Sequence, residues 1–332
     1  MIANKGKKTA LKKGGTIDAF NMSLIVVSAF AIYVFSYLFA NLSHSELSKS
    51  SFNKNTITFI PENISAKPYT GKLDLLGRNS YLKIKNKFEA GGYNLSIVRE
   101  KFEVPFYKFE ELPYNLDAAS PQERKNIFIQ IVLPMILFEN EKILSMRNKI
   151  VEIRKAGNNI SNDDRKWLNG IFELYHVDEK SFDEILKRVD IIPPSIVIAQ
   201  AAKESGWGSS RFSIEGNALF GVWDWNEDAG IIPSERSDDS SHVVKKYPNL
   251  EQSISNYLKN INTHFAYVEF REERFLMREN NISLNPFTLL VFLENYSEQR
   301  GFYIDDLEKI ILGNGLIDFD RTILLQDSTS VI

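Results

Sequence analysis

The segment Ile196 to Glu204, reading Ile-Val-Ile-Ala-Gln-Ala-Ala-Lys-Glu, constrains the fold more than any other stretch of this 332-residue chain. It follows Pro193-Pro194-Ser195, so a helix starts at Pro194 or Ser195, where a missing proline N–H leaves nothing unsatisfied. Its residues are apolar or small almost all round, and a helix without a polar face has to be enclosed by other elements. Gly206 and Gly208 end it. The rest of the chain must therefore wrap a central buried helix. Glu204 falls on the last turn of that helix, beside Trp207. The negative end of the helix dipole disfavours a carboxylate there, and burial acts in the same direction. A carboxyl group kept protonated near neutral pH is what a general acid needs. A glutamate near a helix end is more commonly a solvated surface residue, so the residues that follow have to decide.

The wrapping elements are legible from Ser120 onward. At 43% hydrophobic and 25% charged, the chain has enough apolar content for a real core. Ser120, Pro121 and Glu123 supply an N-cap, a first-turn proline and a capping-box acid. Apolar residues then recur through Ile127, Ile131, Leu137, Ile143, Ile150 and Ile153, and Pro134 predicts a kink. A second helix is expected after Ser161, carrying Trp167, Leu168, Ile171 and Leu174. A third is expected after Ser181, where Glu184 completes another capping box. Residues 59–118 alternate short apolar pieces with Pro, Gly and Asn, and read as irregular or short-strand material. Residues 43–58, rich in Ser, Asn and Lys, read as a linker.

Met22 to Ala40 is a nineteen-residue apolar run broken only by serines and a few tyrosines. As a helix it spans roughly 28 Å, close to the hydrocarbon core of a bilayer. It is longer than the apolar stretch of an ordinary signal peptide, and Leu38 and Ala40 make a poor cleavage site. An uncleaved signal anchor is the first expectation, a cleaved signal or a buried core helix the alternatives. The first sixteen residues hold five lysines and no acid, which orients the start of the run to the cytoplasm. With a chain total of −3, the remainder carries −8, and an acidic body argues against sequence-independent nucleic-acid binding. Cysteine is absent, which excludes disulfides, thiolate metal sites and cysteine nucleophiles.

After Glu204 the chain continues Ser205-Gly206-Trp207-Gly208, then Asn217-Ala218-Leu219-Phe220-Gly221. Together with Ala201-Ala202-Lys203-Glu204 this resembles the signature of the glucosaminidase domains that cut peptidoglycan, among them flagellar rod hydrolases and autolysins. The Bax-like bacterial branch is the most similar. Phe128 to Arg147, Asn260 to His264 with Ala266-Tyr267, and Tyr296-Ser297-Glu298 through Tyr303 support that branch. The resemblance covers roughly residues 100–320. It implies a mainly α, lysozyme-like α+β fold with a small β-lobe beside the cleft, and hydrolysis of the β-1,4 bond after N-acetylglucosamine.

On this resemblance Glu204 is the catalytic acid. Glycosidases usually add a second carboxylate, about 5–5.5 Å away as nucleophile or about 6.5–9.5 Å away to activate water. Trp223 to Lys246, the expected β-lobe, offers Asp224, Glu227, Asp228, Glu235, Asp238 and Asp239. Glu235 ranks first and Glu227 second, each lying near an apolar or aromatic piece. The substrate's own acetamido oxygen could replace both. Tyr267 matches an active-site tyrosine of the family; its bland alternative is a helix residue packing its ring. Trp223 and Trp225 share a face if that piece is a strand, and suit sugar rings, although one of them is expected in the core. Trp207, Asn217 and Phe220 complete the substrate-side candidates, Phe220 more as packing than as contact.

The expected organisation is a cytoplasmic basic tail over 1–21, a transmembrane signal anchor over 22–42, a linker and irregular region over 43–118, and a glucosaminidase domain over 119–325. The domain then faces the periplasm or cell wall from the cytoplasmic membrane, with peptidoglycan strands as partner. Four dispersed histidines without a His-Glu-x-x-His pattern give no reason to expect a metal, and no phosphate loop or dinucleotide fingerprint calls for a cofactor. Two other readings compete: a lytic transglycosylase of the same fold, needing one acid only, and a catalytically silent wall-binding scaffold.

Overall fold

The structure is a computed structural model that describes residues 74–76, 80–234, 241–297 and 301–325. The expected tail and anchor over 1–42, the linker over 43–58, and the carboxylates Glu235, Asp238 and Asp239 lie outside the described residues. Among the described residues no helix is long and apolar enough to cross a membrane.

The described part of the stretch read as irregular or short-strand material holds three short strands, as expected, and two α-helices, which were not. Strand β1 (Asp74–Leu76) is followed by α1 (Tyr81–Ala90), α2 (Leu95–Lys101), β2 (Glu103–Val104) and β3 (Tyr107–Phe109). Ser80 and Asn94 cap the two helices, each accepting from a first-turn N–H, and Phe102 ends α2 in the left-handed region. The sequence reading missed them for a physical reason. A seven-residue helix that buries only Leu95 and Val98 carries too few turns to display a 3.6-residue period. Phe88, Val98, Phe106, Tyr107 and Phe109 are nevertheless almost fully buried in the same core as the later helices.

The three capped helices stand where expected. α3 (Pro121–Ala156) runs 36 residues through Pro134 without a break, α4 covers Asn162–Leu174 and α5 covers Phe182–Arg188. Ser120, Ser161 and Ser181 accept from the N–H groups of Glu123, Asp164 and Glu184 at 3.4, 3.0 and 3.3 Å. The capping-box acids are used differently: Glu123 pairs with Lys85 and Glu184 with Arg188, both at 2.6 Å.

The central helix, α6 (Pro194–Ser205), is buried from Pro194 to Ala202. It packs against α3, against α11 (Gly301–Gly313) and against a 3-10 turn at Leu316–Arg321. Burying Ile196, Val197 and Ile198 contributes about 1.5–3 kcal/mol each. The extended lead-in is pinned by buried polar side chains. Asn262 and Arg274 donate to the Asp190 carbonyl at 3.0 and 3.2 Å, Arg274 to that of Ile191 at 2.9 Å, and Asn140 to that of Ile192 at 2.9 Å. Asp320 accepts the Ser195 N–H and hydroxyl at 2.7 Å each, capping the first turn of α6 from 125 residues away.

Between α6 and α11 lie α7 (Arg211–Gly216), a small sheet, α8 (Leu250–Thr263), α9 (Val268–Glu279) and α10 (Pro286–Leu290). The sheet holds β4 (Trp223–Asp224), β5 (Gly230–Ile231) and β6 (Val243–Lys245) in the order β4-β6-β5, all antiparallel. Near the end of the described chain β7 (Ile323–Leu324) pairs in parallel with β2. The described chain is thus mainly helical with a small antiparallel lobe.

Candidate active site

The C-terminus of α6 is set by three consecutive residues at positive φ: Gly206 at 59°, Trp207 at 58° and Gly208 at 76°. The Gly206 and Trp207 N–H groups both reach the Ala202 carbonyl, and Ser205 Oγ donates to the Ala201 carbonyl at 2.6 Å while accepting from the Gly208 N–H at 2.9 Å. A side chain at Gly208 would meet Phe128 Cδ2 at 2.9 Å and Leu112 Cδ1 at 3.0 Å. The Gly-Trp-Gly motif therefore builds a sharp turn against α3. Its tryptophan is held edge-on to Phe128 (centroids 5.9 Å) with Lys125 over its face at 5.1 Å. Trp207, expected as a substrate contact, is thus partly buried and packs on α3.

This turn leaves Glu204 partly buried at the helix end. Burial raises its pKa, opposed by a hydrogen bond from Tyr303 and by the charge of Lys203. Tyr303, on α11, donates to Glu204 Oε1 at 3.0 Å. Lys203 is drawn to Asp306 at 2.8 Å. The other carboxyl oxygen, Oε2, faces Gly221, where a Cβ would stand 3.6 Å away and where φ is +61°. Among the described residues no carboxylate contributes to the ionisation of Glu204.

Four tyrosines surround the acid. The Tyr296 ring stacks on Tyr303 (5.8 Å, 11°) and lies 6.3 Å from both Tyr257 and Tyr267. Tyr257 and Tyr296 are pushed well above the ordinary phenol range by burial first, with the Glu204 charge adding to it. Tyr303 is raised in the same way. Tyr267 is pushed up to about 12 by burial and by Glu204. Tyr267 sits in a 3-10 turn (Phe265–Tyr267) beside His264, and its hydroxyl is hydrogen-bonded to no described residue. All four phenols stay neutral donors at physiological pH.

The structure thus brings Glu204 and Tyr267 together and adds Tyr257, Tyr296, Tyr303 and Gln200, which were not expected as site residues. Gln200 was legible in principle: it is one turn before Glu204 on the same helix face and is the one amide in an otherwise apolar run. Phe220 is buried and stacked on Tyr257 at 4.0 Å, and its carbonyl accepts from Tyr296 at 2.8 Å, so it packs as expected. Asn217 is buried at φ +53°, its amide donating to the Tyr247 carbonyl at 3.1 Å; it forms the turn after α7.

In the β-lobe both tryptophans are exposed, Trp223 at 54% and Trp225 at 70%, so neither is the core residue expected of one of them. The strand ends at Asp224, which leaves Trp225 beyond it, and Trp223 stacks on His242 at 4.2 Å. Glu227 is exposed in the 3-10 turn Glu227–Ala229. Asp224 is held below the usual carboxylate range, first by the Asn226 N–H at 3.1 Å and then by Lys245. A separate groove of about 610 Å³, lined by Phe88, Tyr93, Asn94, Gln122, Asn126 and Gln130 among others, shares no residue with the surroundings of Glu204. Among the described residues no group of three or more His, Asp or Glu side chains is placed to hold a metal ion.

Comparison with known proteins gives three findings. Residues 179–315 match the family described as mannosyl-glycoprotein endo-beta-N-acetylglucosaminidase. The chain is 31% identical over 205 residues to Protein bax of Escherichia coli (strain K12), a match covering 59% of this chain and 72% of that protein. It is also similar, at 21% identity, to the catalytic domain of the autolysin Auto from Listeria monocytogenes. That match covers 53% of this chain and 97% of the other, with a TM-score of 0.29, too low to establish a common fold.

Proposed function

Since the chain belongs to the Bax-like glucosaminidases, we propose that it is a glycoside hydrolase that cuts peptidoglycan at the β-1,4 bond after N-acetylglucosamine, with Glu204 as general acid. The observation that carries this reading is the placement of Glu204: a partly buried carboxyl at the end of a buried helix, its pKa raised, ringed by neutral tyrosines. The protonated carboxyl gives its proton to the glycosidic oxygen from Oε2, the oxygen on the Gly221 side. As the bond breaks, positive charge develops on the sugar ring. The carboxylate left behind stabilises it and accepts the Tyr303 hydroxyl. The hydroxyl of Tyr267 bonds the substrate's acetamido group, and Trp223 and Trp225 offer faces to neighbouring sugars.

A nucleophilic carboxylate about 5 Å from Glu204 would disturb its ionisation, and no described carboxylate does. The candidates for the second carboxylate are Glu227 on the lobe and Glu235, which lies outside the described residues, and attack by the substrate acetamido oxygen is the alternative to either. The second reading is a lytic transglycosylase of the same fold, which needs one acid only. Mass spectrometry of digested peptidoglycan separates them. Reducing N-acetylglucosamine ends, lost in Glu204→Gln, support the hydrolase, whereas anhydro-muramyl ends support the transglycosylase. Wall binding without products in either protein would point to a scaffold. The reading includes an anchor at Met22–Ala40 that displays the enzyme outside the cytoplasmic membrane; release of activity from washed membranes by salt alone would count against it.

A further inference from the structure

Gln200 is fully buried, one helical turn before Glu204, and belongs to a hydrogen-bond chain closed to solvent. Tyr257 donates to Gln200 Oε1, Gln200 Nε2 donates to the Tyr303 oxygen at 2.9 Å, and Tyr303 donates to Glu204 Oε1 at 3.0 Å. A carboxylate accepts hydrogen bonds and cannot donate them, so the direction is dictated from the Glu204 end. If Tyr303 gives its proton to Glu204, its oxygen must accept from the amide nitrogen. The amide oxygen then faces Tyr257 and takes that hydroxyl. Each member has one role and fills it.

The reversed chain is the alternative once Glu204 is protonated. Its proton would sit on Oε1 and point to Tyr303, Tyr303 would donate to the amide oxygen, and the amide nitrogen would donate to Tyr257. The Tyr257 proton would then lack an acceptor. That tyrosine is fully buried with Phe220 stacked on its ring, and its hydroxyl has no other described partner. A buried donor without a partner is costly, so the chain keeps its direction in both protonation states.

We propose that Gln200 is a positioning residue of the glycosidic reaction: its amide holds the chain from Tyr257 to Glu204 in one direction and so keeps the transferable proton on Oε2, the oxygen facing Gly221. The inference rests on Glu204 being the general acid. The groups that face Glu204 are Lys203 from its own helix, Tyr303 from α11, Tyr267 from its 3-10 turn, Tyr296 from the 3-10 turn Val291–Tyr296, and Tyr257 from α8. Of these only Tyr303 and Lys203 lower its pKa, and Lys203 is engaged by Asp306.

The test uses the full chain and purified glycan strands, and reads kcat, KM and the basic limb of the pH profile, where a general acid loses its proton. Tyr303→Phe removes a hydrogen bond to the carboxylate and moves that limb up by about one pH unit. Gln200→Glu presents an acceptor to both tyrosines, so Tyr303 turns away from Glu204. In that background the limb is already raised, kcat falls about tenfold with KM nearly unchanged, and adding Tyr303→Phe moves the limb no further. Tyr257→Phe frees the amide to rotate; it lowers kcat and raises the limb in the same direction by less, and serves alone if Gln200→Glu does not fold. A Tyr303→Phe shift as large in Gln200→Glu as in the wild type overturns the proposal, as does a Tyr257→Phe enzyme with wild-type kcat and pH profile. Activity retained in Glu204→Gln instead overturns the general-acid reading itself, and that arm is scored separately.

Discussion

The Gly206-Trp207-Gly208 turn invites a direct test, because its second glycine meets both a conformational and a steric demand. At φ +76° an L-residue costs about 1–2 kcal/mol relative to glycine. A Cβ at 208 would also stand 2.9 Å from Phe128 Cδ2, 3.0 Å from Leu112 Cδ1 and 3.2 Å from Leu116 Cδ2. Those three side chains are themselves no more than 1% exposed, so they cannot swing into solvent to make room. Overpacking of this kind costs about 1–3 kcal/mol. Gly208→Ala should therefore lose about 2–5 kcal/mol, a large share of the roughly 5–15 kcal/mol that holds a native protein. At about 2–4 °C per kcal/mol for a domain of this size, the midpoint of thermal unfolding falls by roughly 4–20 °C.

Calorimetry on the full chain reads the loss, and a second substitution resolves its two parts. Leu116→Ala alone opens a cavity and costs about 2–5 kcal/mol. Placed beside Gly208→Ala it makes room for the new methyl group, so the double variant should be more stable than the two losses added, by about 1 kcal/mol or more. The backbone strain is not relieved, so recovery stays incomplete. A Gly208→Ala protein melting within 2 °C of wild type, or strictly additive losses, would refute the reasoning.

Three further outcomes follow from other parts of the site. Burial pushes the Asp320 carboxyl up to about 7 from 3.8, so its contribution to stability is present below about pH 4 and lost as pH rises through 7. Asp320→Asn keeps an acceptor for Ser195 and should match wild type at pH 4 yet be more stable at pH 8, by up to about 4 kcal/mol for three pKa units; denaturant melts in which it is weaker at every pH would mean that Asp320 is ionised and acts as a charged cap. The pKa of Glu204 is raised in the same sense, so Glu204→Gln should have the higher melting temperature above neutrality, with the difference closing as pH falls below the range where a free glutamate ionises; a lower melting temperature at pH 8 would show that the carboxylate is stabilising. Trp223→Ala and Trp225→Ala remove exposed rings, so each should melt within about 1 °C of wild type while KM for glycan strands rises several-fold; unchanged KM in both would remove the lobe from the substrate path.

What could be read in the sequence follows the reach of each physical signal. Serine caps with a 3.6-residue period placed α3, α4 and α5, and a proline start with a glycine stop placed α6, because each helix carries its own local signal. α1 and α2 are equally well capped, but α1 packs on α3 and α2 on the distant turn Leu316–Arg321, and ten- and seven-residue helices show no clear period. Within the site, Glu204 was legible because the apolar helix and the glycine turn lie beside it in the chain. Tyr257 and Tyr303 arrive from 53 and 99 residues away and look like ordinary core residues of amphipathic helices. Trp207 shows the converse: adjacency to the acid in the chain does not announce that the positive-φ run turns its ring onto Phe128.

The same arrangement explains why so much polar structure is buried away from the chemistry. An acid with a raised pKa sits at the unfavourable end of α6, and on the proposed general-acid reading its protonation is needed there, so the helix cannot be made comfortable at that end. Its orientation has to be secured at the other end. There Asp190 is held ionised against Arg278, Arg147 and Arg274, and the carbonyls of residues 190–192 are taken by Asn262, Arg274 and Asn140. Buried ion pairs of this kind add little net stability over apolar packing, but breaking one leaves an uncompensated charge at about 3–5 kcal/mol. Such a network is therefore intolerant of any displacement of the extended segment that feeds α6. Rigidity at residues 190–195 and discomfort at residue 204 are two ends of one helix, and the first is what allows the second to persist in a folded protein.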